Sequence, residues 1–425
     1  MTRLPREGES KTRLIPVLGP AGAAQLQRAM SEHVARQLRI LQAVDRWSPE
    51  VRVTGGSAAA ARRWLGLPAT IQGEGDLGAR QACALADGLS RADVAMVVGG
   101  DCPTVDAADM REAATAAAAS GAALIPATDG GYCLLAVRAD LRDRVPHLLG
   151  AGIGWGGPDV LAQTRERFAE AGIEAAVLDP RSDIDEPGDL PAWEAVRAAW
   201  YDAPKAVSVV VPVLDDAERL ARLLPALDAG RLEVVVSDGG SSDRTLDVAR
   251  AAGALVVDAP RGRGSQLDAG ARAASRDALL FLHADTIPPR GCDTLVTGAL
   301  ADPSLTVGAF RFSLDAVTPA LRIIEGGTRL RGSLLRFPYG DQGLFCRAVV
   351  WRALGGFGSA PVMEDYEFVR RARRVGRVRV LETDAVTSDR AWREHGAWRW
   401  TALNVGTVIR YRLGWSPARL AEWRR

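Results

Sequence analysis

The chain has 425 residues, of which 47% are hydrophobic and 25% are charged, and its formal net charge at pH 7 is +1. These are the proportions of a globular protein, and they exclude a disordered, collagen-like or coiled-coil chain. The charged start MTRLPREGESK and the lack of any run of about 18 apolar residues predict neither a secretory signal nor a membrane-spanning helix.

Cysteine usage indicates a reducing compartment. The chain has five cysteines, an odd number, and none of them forms a CxxC pair. A disulfide framework and a zinc ribbon are therefore both unsupported. We expect a cytoplasmic protein.

The charge is divided unevenly along the chain. Residues 1–204 carry 21 basic and 27 acidic side chains, a net charge of −6, whereas residues 205–425 carry 32 and 25, a net charge of +7. Between these halves, the polar segment RSDIDEPGDLPAW leads through WYDAPKA into the apolar run VSVVVPVL. The sequence therefore predicts two domains, residues 1–203 and 204–425.

The first half alternates strands with helices. AMVVGGDCP, AALIPATDGG and EAAVLDP are typical of buried strands, and ADMREAATAAAAS is typical of a helix. In the early segment GESKTRL, Lys11 and Arg13 suit the phosphates of a nucleoside triphosphate. Asp101, together with Asp183 or Asp185, suits Mg²⁺. Each segment taken alone is more often only a turn, so the structural alternative stays open.

The second half has the same alternation. VSVVVPVL predicts a strand, DDAERLARLLPAL an amphipathic helix, LEVVVSDGG a strand, and SDRTLDVARAAG a helix. This βαβ order indicates a parallel sheet covered by helices on both faces. Both halves also place a carboxylate where a strand ends, Asp101 in one and Asp285 in the other. Ligands of open α/β sheets bind at such strand ends.

Two segments of the second half suit the donor side of a nucleotide-sugar site. Asp238, at the end of LEVVVSD, is placed to accept hydrogen bonds from a base or ribose. In RGRGSQ, Arg261 and Arg263 stand among glycines and suit a pyrophosphate. A βα turn and a solvated loop are the structural alternatives for these two segments.

Two further segments suit the chemistry of such a site. Asp285 in HADT is placed to hold Mg²⁺ or Mn²⁺ against a diphosphate leaving group. Asp365 in MEDYEF opens a predicted helix and suits a general base for an acceptor hydroxyl. Helix capping explains either residue equally well, since acidic residues favour the first turn of a helix.

The C-terminal segment 391–425 is basic and rich in tryptophan. It carries Trp392, Trp398, Trp400, Trp415 and Trp423, with seven arginines against two glutamates. Basic helices with tryptophan can lie in a membrane interface, which would suit a lipid-linked acceptor. The favoured alternative is a helical cover over the acceptor groove or a dimer contact.

Six motifs in order carry a resemblance over residues 206–425: VVPVLDD, VVVSDGGSSDRT, RGRGSQLDAGA, FLHADT, YGDQGLFCRAVVWRALGGF and MEDYEFVRRARRVG. Together they resemble glycosyltransferase family 2 with the GT-A fold, and most closely a subgroup associated with arsenosugar biosynthesis. The resemblance implies transfer of a sugar from a nucleotide-sugar donor to a hydroxyl acceptor with inversion, assisted by Mg²⁺ or Mn²⁺. His283 departs from the pattern, because many relatives have the first Asp of a DxD motif there.

The resemblance also implies a role for each matching residue. Asp365 would be the catalytic base and Asp285 the metal-binding carboxylate. The donor nucleotide would contact Pro212, Asp216, Asp238 and Arg263, and the acceptor side would contain Asp341, Gln342 and Glu364.

The first half resembles a different bacterial family over residues 1–200. GESKTRL, GDLG, GGDCP, DGGY and DIDEP are similar to segments of nucleotidyltransferase-like proteins related to those of molybdenum-cofactor and deazaflavin-cofactor synthesis. This resemblance implies that Lys11, Arg13, Asp101, Asp183 and Asp185 bind a nucleotide and its metal. Relatives have a buried strand before GESKTRL, so we expect this domain to lack its first strand.

The sequence as a whole predicts two Rossmann-like GT-A-type α/β domains in tandem, each a mostly parallel sheet flanked by helices. The expected partners are a nucleotide-sugar donor and a hydroxyl acceptor, with a lipid-linked acceptor and a peripheral membrane contact as options and with no nucleic acid. Two alternatives stay open. The protein is bifunctional, with the first half activating a sugar phosphate, or both halves only bind nucleotides and the tail docks on a membrane.

Overall fold

The computed structural model describes residues 1–150, 152–315 and 318–424, apart from the side chains of Arg331, Ser333, Leu334 and Leu335. The chain divides into two compact units, Met1–Arg197 and Ala198–Arg425. This division falls within the helix Leu190–Tyr201, slightly before the predicted boundary at 203/204. No helix among these described residues is long and apolar enough to cross a bilayer.

Among the residues that the structure describes, the first unit contains seven strands. They are β1 (Thr2–Arg3), β2 (Val51–Thr54), β3 (Ala69–Ile71), β4 (Val94–Val98), β5 (Ala122–Pro126), β6 (Tyr132–Arg138) and β7 (Ala176–Val177). The helices are α1 (Ile15–Asp45), α2 (Ala58–Leu65), α3 (Leu77–Leu89), α4 (Ala107–Ser120), α5 (Val145–Leu148), α6 (Val160–Glu170) and α7 (Leu190–Tyr201), the last of which contains the division. The strands predicted at AMVVGGDCP, AALIPATDGG and EAAVLDP correspond to β4, β5 and β7.

The strands of the first unit form two short sheets, ordered β1-β2-β3 and β4-β6-β5-β7. The first is parallel, and in the second only β5 and β7 pair in parallel. Strand β5 is buried along its whole length beneath α4. Its AALIP sequence has the continuous apolar character of a strand covered on both faces.

The segment before GESKTRL contains a strand of only two residues. Thr2–Arg3 pairs in parallel with β2 and is at least partly exposed. The Met1 ammonium donates to the Val98 carbonyl at 2.5 Å, and Gly100 N–H donates to the Met1 carbonyl at 2.7 Å. Backbone hydrogen bonds of the first three residues therefore connect the two sheets, and the lack of a buried first strand stays a prediction.

His33 on α1 is fully buried, and this changes its titration. Its ring lies 3.1 Å from the Gln37 amide and edge-on to Trp193 at a centroid distance of 6.3 Å. Burial, followed by the charge of Arg36, lowers the pKa of His33 from 6.5 to about 3. The folded protein therefore keeps a neutral imidazole under conditions in which the unfolded chain takes up a proton.

We expect the stability contributed by neutral His33 to be complete above pH 6.5 and to be lost as the pH falls toward 3. The loss should be about 1.4 kcal/mol per pH unit in this window. Urea unfolding of wild type and His33→Asn at about pH 7 and about pH 5 checks this. The difference between their unfolding free energies should shrink at the lower pH, and a difference independent of pH would contradict the burial argument.

The described part of the second unit contains eight strands and ten α-helices. The strands are β8 (Val207–Val213), β9 (Leu232–Asp238), β10 (Leu255–Asp258), β11 (Ala278–Phe281), β12 (Thr286–Ile287), β13 (Leu305–Leu314), β14 (Leu344–Arg347) and β15 (Arg377–Thr387). The helices are α8 (Ala217–Leu223), α9 (Thr245–Ala251), α10 (Arg263–Ala273), α11 (Cys292–Leu300), α12 (Pro319–Leu335), α13 (Ala348–Leu354), α14 (Glu364–Val375), α15 (Arg390–His395), α16 (Ala397–Arg412) and α17 (Pro417–Trp423).

All eight strands form one sheet in the order β10-β9-β8-β11-β14-β13-β15-β12. The four strands from β10 to β11 are parallel, as the βαβ alternation predicts. Beyond β11 the sheet is mixed, because β14 is antiparallel to both of its neighbours. The fold class is therefore α/β, with a parallel half followed by a mixed half.

Close packing holds α10 on the parallel half. Strand β8 is a run of β-branched residues buried on both faces, which is typical of a central parallel strand. A Cβ built on Gly270 of α10 would lie 2.5 Å from Val210 Cγ1. Glycine at this position lets α10 approach the sheet closely, and this fixes the N-terminal end of α10 near the strand ends.

Candidate functional site

The carboxyl ends of β8, β9 and β11 meet at one edge of the sheet, since these strands are adjacent and parallel. Asp216 lies in the loop after β8, Asp238 ends β9, and Asp285 follows β11. Pro212 lies in β8 in register with Ser237 of β9. The topology thus brings the predicted donor and metal residues to the same edge, as expected for a ligand site of an open α/β sheet.

Asp238 is buried and shapes the loop that follows it. Its carboxylate accepts hydrogen bonds from Gly240 N–H at 3.0 Å, from Ser241 N–H at 3.0 Å and from the Ser241 hydroxyl at 2.5 Å. Asp238 therefore stabilises the βα turn that was the structural alternative for this segment. The carboxylate also sits at the edge where a ligand of the sheet would lie.

The loop after β8 is tied to this turn. Asp215 has a positive φ of 50°, and its carboxylate accepts from Ser242 N–H at 2.7 Å. The backbone N–H of Asp216 donates to the Thr245 hydroxyl at 2.8 Å. These bonds hold the 214–216 and 238–245 loops together, so Asp216 and Asp238 keep fixed positions relative to each other.

Asp216 and Asp285 form an electrostatically coupled pair of carboxylates. Burial raises the pKa of Asp216, its ion pair with Arg219 opposes the rise, and the negative charge of Asp285 adds to it. No three His, Cys, Asp or Glu side chains among the described residues are close enough together to form a complete metal site. Two oxygen-bearing side chains nevertheless fit Mg²⁺ or Mn²⁺, which commonly takes one or two carboxylates and completes its shell with phosphate and water.

A short chain of hydrogen bonds leads from the Asp285 segment to the loop 339–343. The hydroxyls of Thr286 and Thr387 are 3.0 Å apart, and Thr387 donates to the Asp341 carbonyl at 2.8 Å. Both threonines are buried. The loop that carries Asp341 and Gln342 is thereby fixed beside the candidate metal residue.

Asp365 lies in the first turn of α14 and faces the same loop. Its Oδ2 accepts from Gly340 N–H at 2.7 Å. A Cβ built on Gly340 would lie 3.2 Å from Asp365 Oδ2 and 3.0 Å from His283 Nε2. The absence of a side chain at Gly340 therefore leaves room for both His283 and Asp365 beside its Cα.

His283 is neutral in this setting. Burial, with a smaller contribution from the charge of Arg263, lowers the pKa of His283 from 6.5 to about 3. The residue that departs from the DxD pattern therefore brings no carboxylate and no charge.

Arg263 and Glu364 connect the donor side to the candidate base. Arg263 begins α10, and its guanidinium lies 3.4 Å from Glu364, which is only 4% exposed. Burial and the neighbouring Asp365 raise the pKa of Glu364, while Arg263 opposes the rise. Glu364, which was predicted on the acceptor side, thus contacts the donor-side arginine.

The two other residues predicted on the acceptor side, Asp341 and Gln342, differ in their exposure. Gln342 is 1% exposed, and its amide bonds to the Phe310 carbonyl at 3.1 Å and to Tyr339 N–H at 3.1 Å. Its side chain is therefore used to hold the loop. Asp341 is partly exposed on the same loop, next to the Gly340 that bonds Asp365.

Asp268, which sequence reasoning did not single out, holds the segment that enters α14. It is 5% exposed and accepts from Trp351 Nε1 at 3.0 Å, Phe357 N–H at 2.8 Å and Gly358 N–H at 2.9 Å. Hydrogen bonds from three donors to one buried carboxylate are strong. They fix the chain between α13 and the candidate base.

We expect Asp268→Ala to lower the free energy of unfolding by about 3 kcal/mol or more, because three buried donors would lose their partner. Urea unfolding measures the change. The matched control is Asp258→Ala at the exposed end of β10, which should change stability by less than about 0.5 kcal/mol. Equally small losses of unfolding free energy in the two variants would contradict the role of Asp268 in holding this segment.

Two arginines from the C-terminal helices also reach the site, although no motif indicated them. Arg390 interacts with Asp216 and Asp285, beyond its main hydrogen bond to Glu394. Arg424 donates to the Thr407 hydroxyl at 2.8 Å. Burial and the charge of Arg263 lower the pKa of Arg424, while Glu364 and Asp365 raise it. The basic tail therefore adds positive charge that acts on Asp216, Asp285, Glu364 and Asp365.

The first unit brings together part of its predicted site. The buried Lys11 ammonium lies 3.1 Å from Asp101 Oδ2 and also pairs with Asp185. Burial raises the pKa of Asp183 to about 6, with Asp129, Asp185 and Asp101 adding to the effect. Arg13 lies at the exposed rim, 3.5 Å from Glu186.

Two family models match separate parts of the chain. Residues 208–350 match glycosyl transferase family 2, and residues 37–157 match the family described as uncharacterized protein conserved in bacteria (DUF2064). An uncharacterized glycosyltransferase of Mycobacterium tuberculosis is 43% identical over 84 residues, which cover 20% of this chain and 38% of the relative. The chain thus spans well under half the length of the curated relatives that it matches.

Two solved structures are similar over about half of the chain. A nucleotide-diphospho-sugar transferase from Desulfovibrio desulfuricans G20 is 28% identical, with a TM-score of 0.41, and the match covers 46% of this chain and 84% of that one. A mannosyltransferase from Pyrobaculum calidifontis, in complex with GDP-Man and Mn²⁺, is 24% identical, with a TM-score of 0.37 and coverage of 54% and 73%. The arsenosugar-associated subgroups stay predictions. The match to the glycosyl transferase family 2 model thus lies within the second unit, and the match to the DUF2064 model lies within the first.

Proposed function

We propose that the second unit transfers a sugar from a nucleotide-sugar donor to a hydroxyl acceptor, with inversion at the anomeric carbon. The proposal is carried by hydrogen bonds and charge interactions that connect the segments of Asp238, Asp216 and Asp285 with the 339–343 loop and Asp365. Asp216, Asp238 and Asp285 are remote in sequence, yet the strand order brings them to one edge of the sheet. The family 2 match over residues 208–350 supports the same chemistry.

The donor lies along the ends of the parallel strands in this proposal. Asp238 and the loop after β8, with Pro212 and Asp216, face the base and ribose, for which carboxylates are good hydrogen-bond acceptors. Arg263, whose side chain is 56% exposed, approaches the diphosphate. A guanidinium presents several donors in a fork that matches phosphate oxygens.

Asp285, with Asp216 beside it, would hold Mg²⁺ or Mn²⁺. The bound ion would neutralise the charge that develops on the departing diphosphate. The negative charge of Asp285 contributes to the raised pKa of Asp216, and a cation bound at this place would offset that contribution. Arg390 lies close enough to add positive charge at the same place.

Asp365 acts as the general base. It takes the proton of the acceptor hydroxyl while the oxygen forms a bond to the anomeric carbon and the bond to the diphosphate breaks on the opposite face. The Gly340 N–H orients the carboxylate, and neutral His283 keeps a competing positive charge away from it. A positioned base of this kind contributes about 10²–10⁴-fold to the rate.

A thermal-shift screen of UDP-, GDP- and dTDP-sugars, each with and without Mn²⁺, tests the proposal. A bound nucleotide raises the unfolding temperature through mass action, so at least one donor should give a shift that Mn²⁺ enlarges. No shift with any donor would refute nucleotide-sugar use. A shift without transfer to any hydroxyl acceptor would favour the nucleotide-binding alternative.

The first unit supports a second activity, namely nucleotidyl transfer to a sugar phosphate. Buried Lys11 between Asp101 and Asp185 favours this candidate, because an ammonium that neutralises two carboxylates marks a place for phosphate and metal. Pyrophosphate release by the full chain from a nucleoside triphosphate and a sugar phosphate, lost in Asp101→Asn, would establish the activity. Release unchanged in Asp101→Asn would remove the site from consideration.

The tail supports a peripheral membrane contact and a lipid-linked acceptor as finer proposals. Along α16, Trp398, Val405, Ile409 and Leu413 follow helical spacing and are each more than half exposed. Basic helices with such an apolar stripe bind membrane interfaces. The vesicle measurement described below tests this contact.

A further inference from the structure

An unassigned pocket lies between α14 and the C-terminal end of α16. Its volume is about 500 Å³, within the range of small-molecule sites. The residues that define this arginine–aromatic pocket are Tyr366, Arg370, Tyr411, Arg412 and Trp415. None of them belongs to the strand-end loops assigned to the donor.

An aromatic wall connects the pocket to the candidate base. Tyr366 directly follows Asp365 on α14, and its ring centroid lies 4.6 Å from Phe337, 6.4 Å from Tyr339 and 5.6 Å from Tyr411. Tyr339 precedes Gly340, whose N–H bonds Asp365. The wall therefore runs from the loop beside the base into the pocket.

The pocket carries an excess of positive charge. Arg370 is balanced by Glu367 at 2.8 Å. Arg412 instead donates through Nε to the Tyr366 hydroxyl at 2.8 Å, and the described residues place no carboxylate within ion-pair distance of it. Its remaining N–H donors are available in a fixed fork that suits a phosphate or carboxylate.

Tyr411 contributes a neutral phenol to the pocket. Burial and the neighbouring Glu367 raise the pKa of Tyr411, so its phenol stays protonated. Arg419 lies 3.7 Å from the centroid of Trp415, which adds a second cation at the rim. The pocket thus combines ring faces for stacking with guanidinium groups for an anion.

We infer that this pocket binds an anionic group of the acceptor, a phosphate or a carboxylate, while the acceptor hydroxyl reaches Asp365 along the aromatic wall. The inference rests on the proposed function, since it names the acceptor class of that site. The donor diphosphate is assigned to Arg263 at the start of α10 and to Asp285 after β11, whereas Arg370 and Arg412 belong to α14 and α16. The pocket is therefore assigned to the acceptor.

Calorimetric titration of the full chain with phenyl phosphate tests the inference, with phenol as the neutral partner probe. We expect phenyl phosphate to bind and phenol to bind at least tenfold more weakly. Arg412→Gln should lower the affinity for phenyl phosphate at least tenfold, and Arg412→Glu should abolish its binding. The control is Arg399→Gln, an exposed arginine of α16 outside the pocket lining, which should leave the affinity unchanged.

Equal affinities of wild type and Arg412→Gln, or of the two probes, would overturn the inference. Arg412 is exposed, so loss of folding in Arg412→Gln is not expected, and an unchanged urea midpoint verifies this. Vesicles of phosphatidylcholine with and without phosphatidic acid distinguish the two sources of phosphate. Sedimentation with acidic vesicles that Arg412→Glu abolishes indicates a lipid phosphate, whereas phenyl phosphate binding without sedimentation indicates a soluble acceptor.

The outcome is separable from that of the proposed function. Arg412→Gln should keep the nucleotide-dependent thermal shift of wild type, because it lies outside the donor loops. Binding of phenyl phosphate through Arg412 without any nucleotide shift would leave the pocket standing and refute the donor. A nucleotide-dependent thermal shift without phenyl phosphate binding would support the donor site and refute the role of the pocket.

Discussion

Asp365→Asn should lower the rate of sugar transfer by about 10²–10⁴-fold, the contribution of a positioned general base. The amide keeps the shape of the side chain and can still accept from Gly340 N–H, so the loop beside it should not move. It cannot take the proton of an acceptor hydroxyl. Nucleotide binding, measured by thermal shift, should stay within about twofold of wild type, since the donor residues lie on other loops.

The matched control for this variant is Asp247→Asn. Asp247 also occupies the first turn of a helix, α9, but it is exposed and lies away from the 339–343 loop. Its removal should leave the transfer rate unchanged. A wild-type rate in Asp365→Asn, with the control behaving as expected, would reduce Asp365 to a helix-terminal acidic residue.

Asp285→Asn should remove the metal-dependent part of the reaction. We expect the enlargement of the nucleotide thermal shift by Mn²⁺ to disappear and the transfer rate to fall by about 10²–10³-fold, the scale at which lost charge stabilisation acts. The change leaves Asp216 and Arg390 in place. The remaining carboxylate would then face the diphosphate without its partner.

Titration of Mn²⁺ against wild type and Asp285→Asn in the presence of a nucleoside diphosphate measures this effect. Asp258→Asn, at the exposed end of β10, serves as the neutralisation control. An unchanged Mn²⁺ requirement in Asp285→Asn would place the metal elsewhere. Transfer that is equally fast with and without Mn²⁺ in wild type would remove the metal from the mechanism.

Local patterns were sufficient for the parallel half of the second unit. The apolar run of β8 and the amphipathic spacing after it predict a βαβ unit, because each element is decided by its own residues. The mixed half of the same sheet was harder to predict from the sequence. Strands β13, β14 and β15 pair across long stretches of chain, and such pairings depend on packing partners that no local pattern identifies.

Topology explains why the sequence could predict which carboxylates lie near one another. Asp238 ends β9 and Asp285 follows β11, and parallel strands of one sheet bring their carboxyl ends to the same edge. Buried residues were harder, because a motif indicates which side chains matter but not which of them face solvent. Gln342 and Glu364 were predicted on the acceptor side, yet the first holds its own loop and the second pairs with Arg263.

The residues that sequence reasoning missed act through long-range contacts. Asp268 holds a loop some 90 residues away, and Arg390 and Arg424 reach the site from the tail. The arginine and tryptophan content of the tail was noticed, but its composition suits both a cover and a membrane contact. Only the contact of Arg412 with Tyr366 reveals a pocket beside the candidate base.

A crystal structure of the full chain with Mn²⁺ and the nucleoside diphosphate that gives the largest thermal shift would test most directly whether Asp238, Asp285 and Asp365 belong to one site. We predict an anomalous manganese peak within coordination distance of Asp285, the base against Asp238, and the outer phosphate pointing toward Asp365. A nucleotide bound at another edge of the sheet, or manganese remote from Asp285, would contradict the assignment of these three carboxylates to one site.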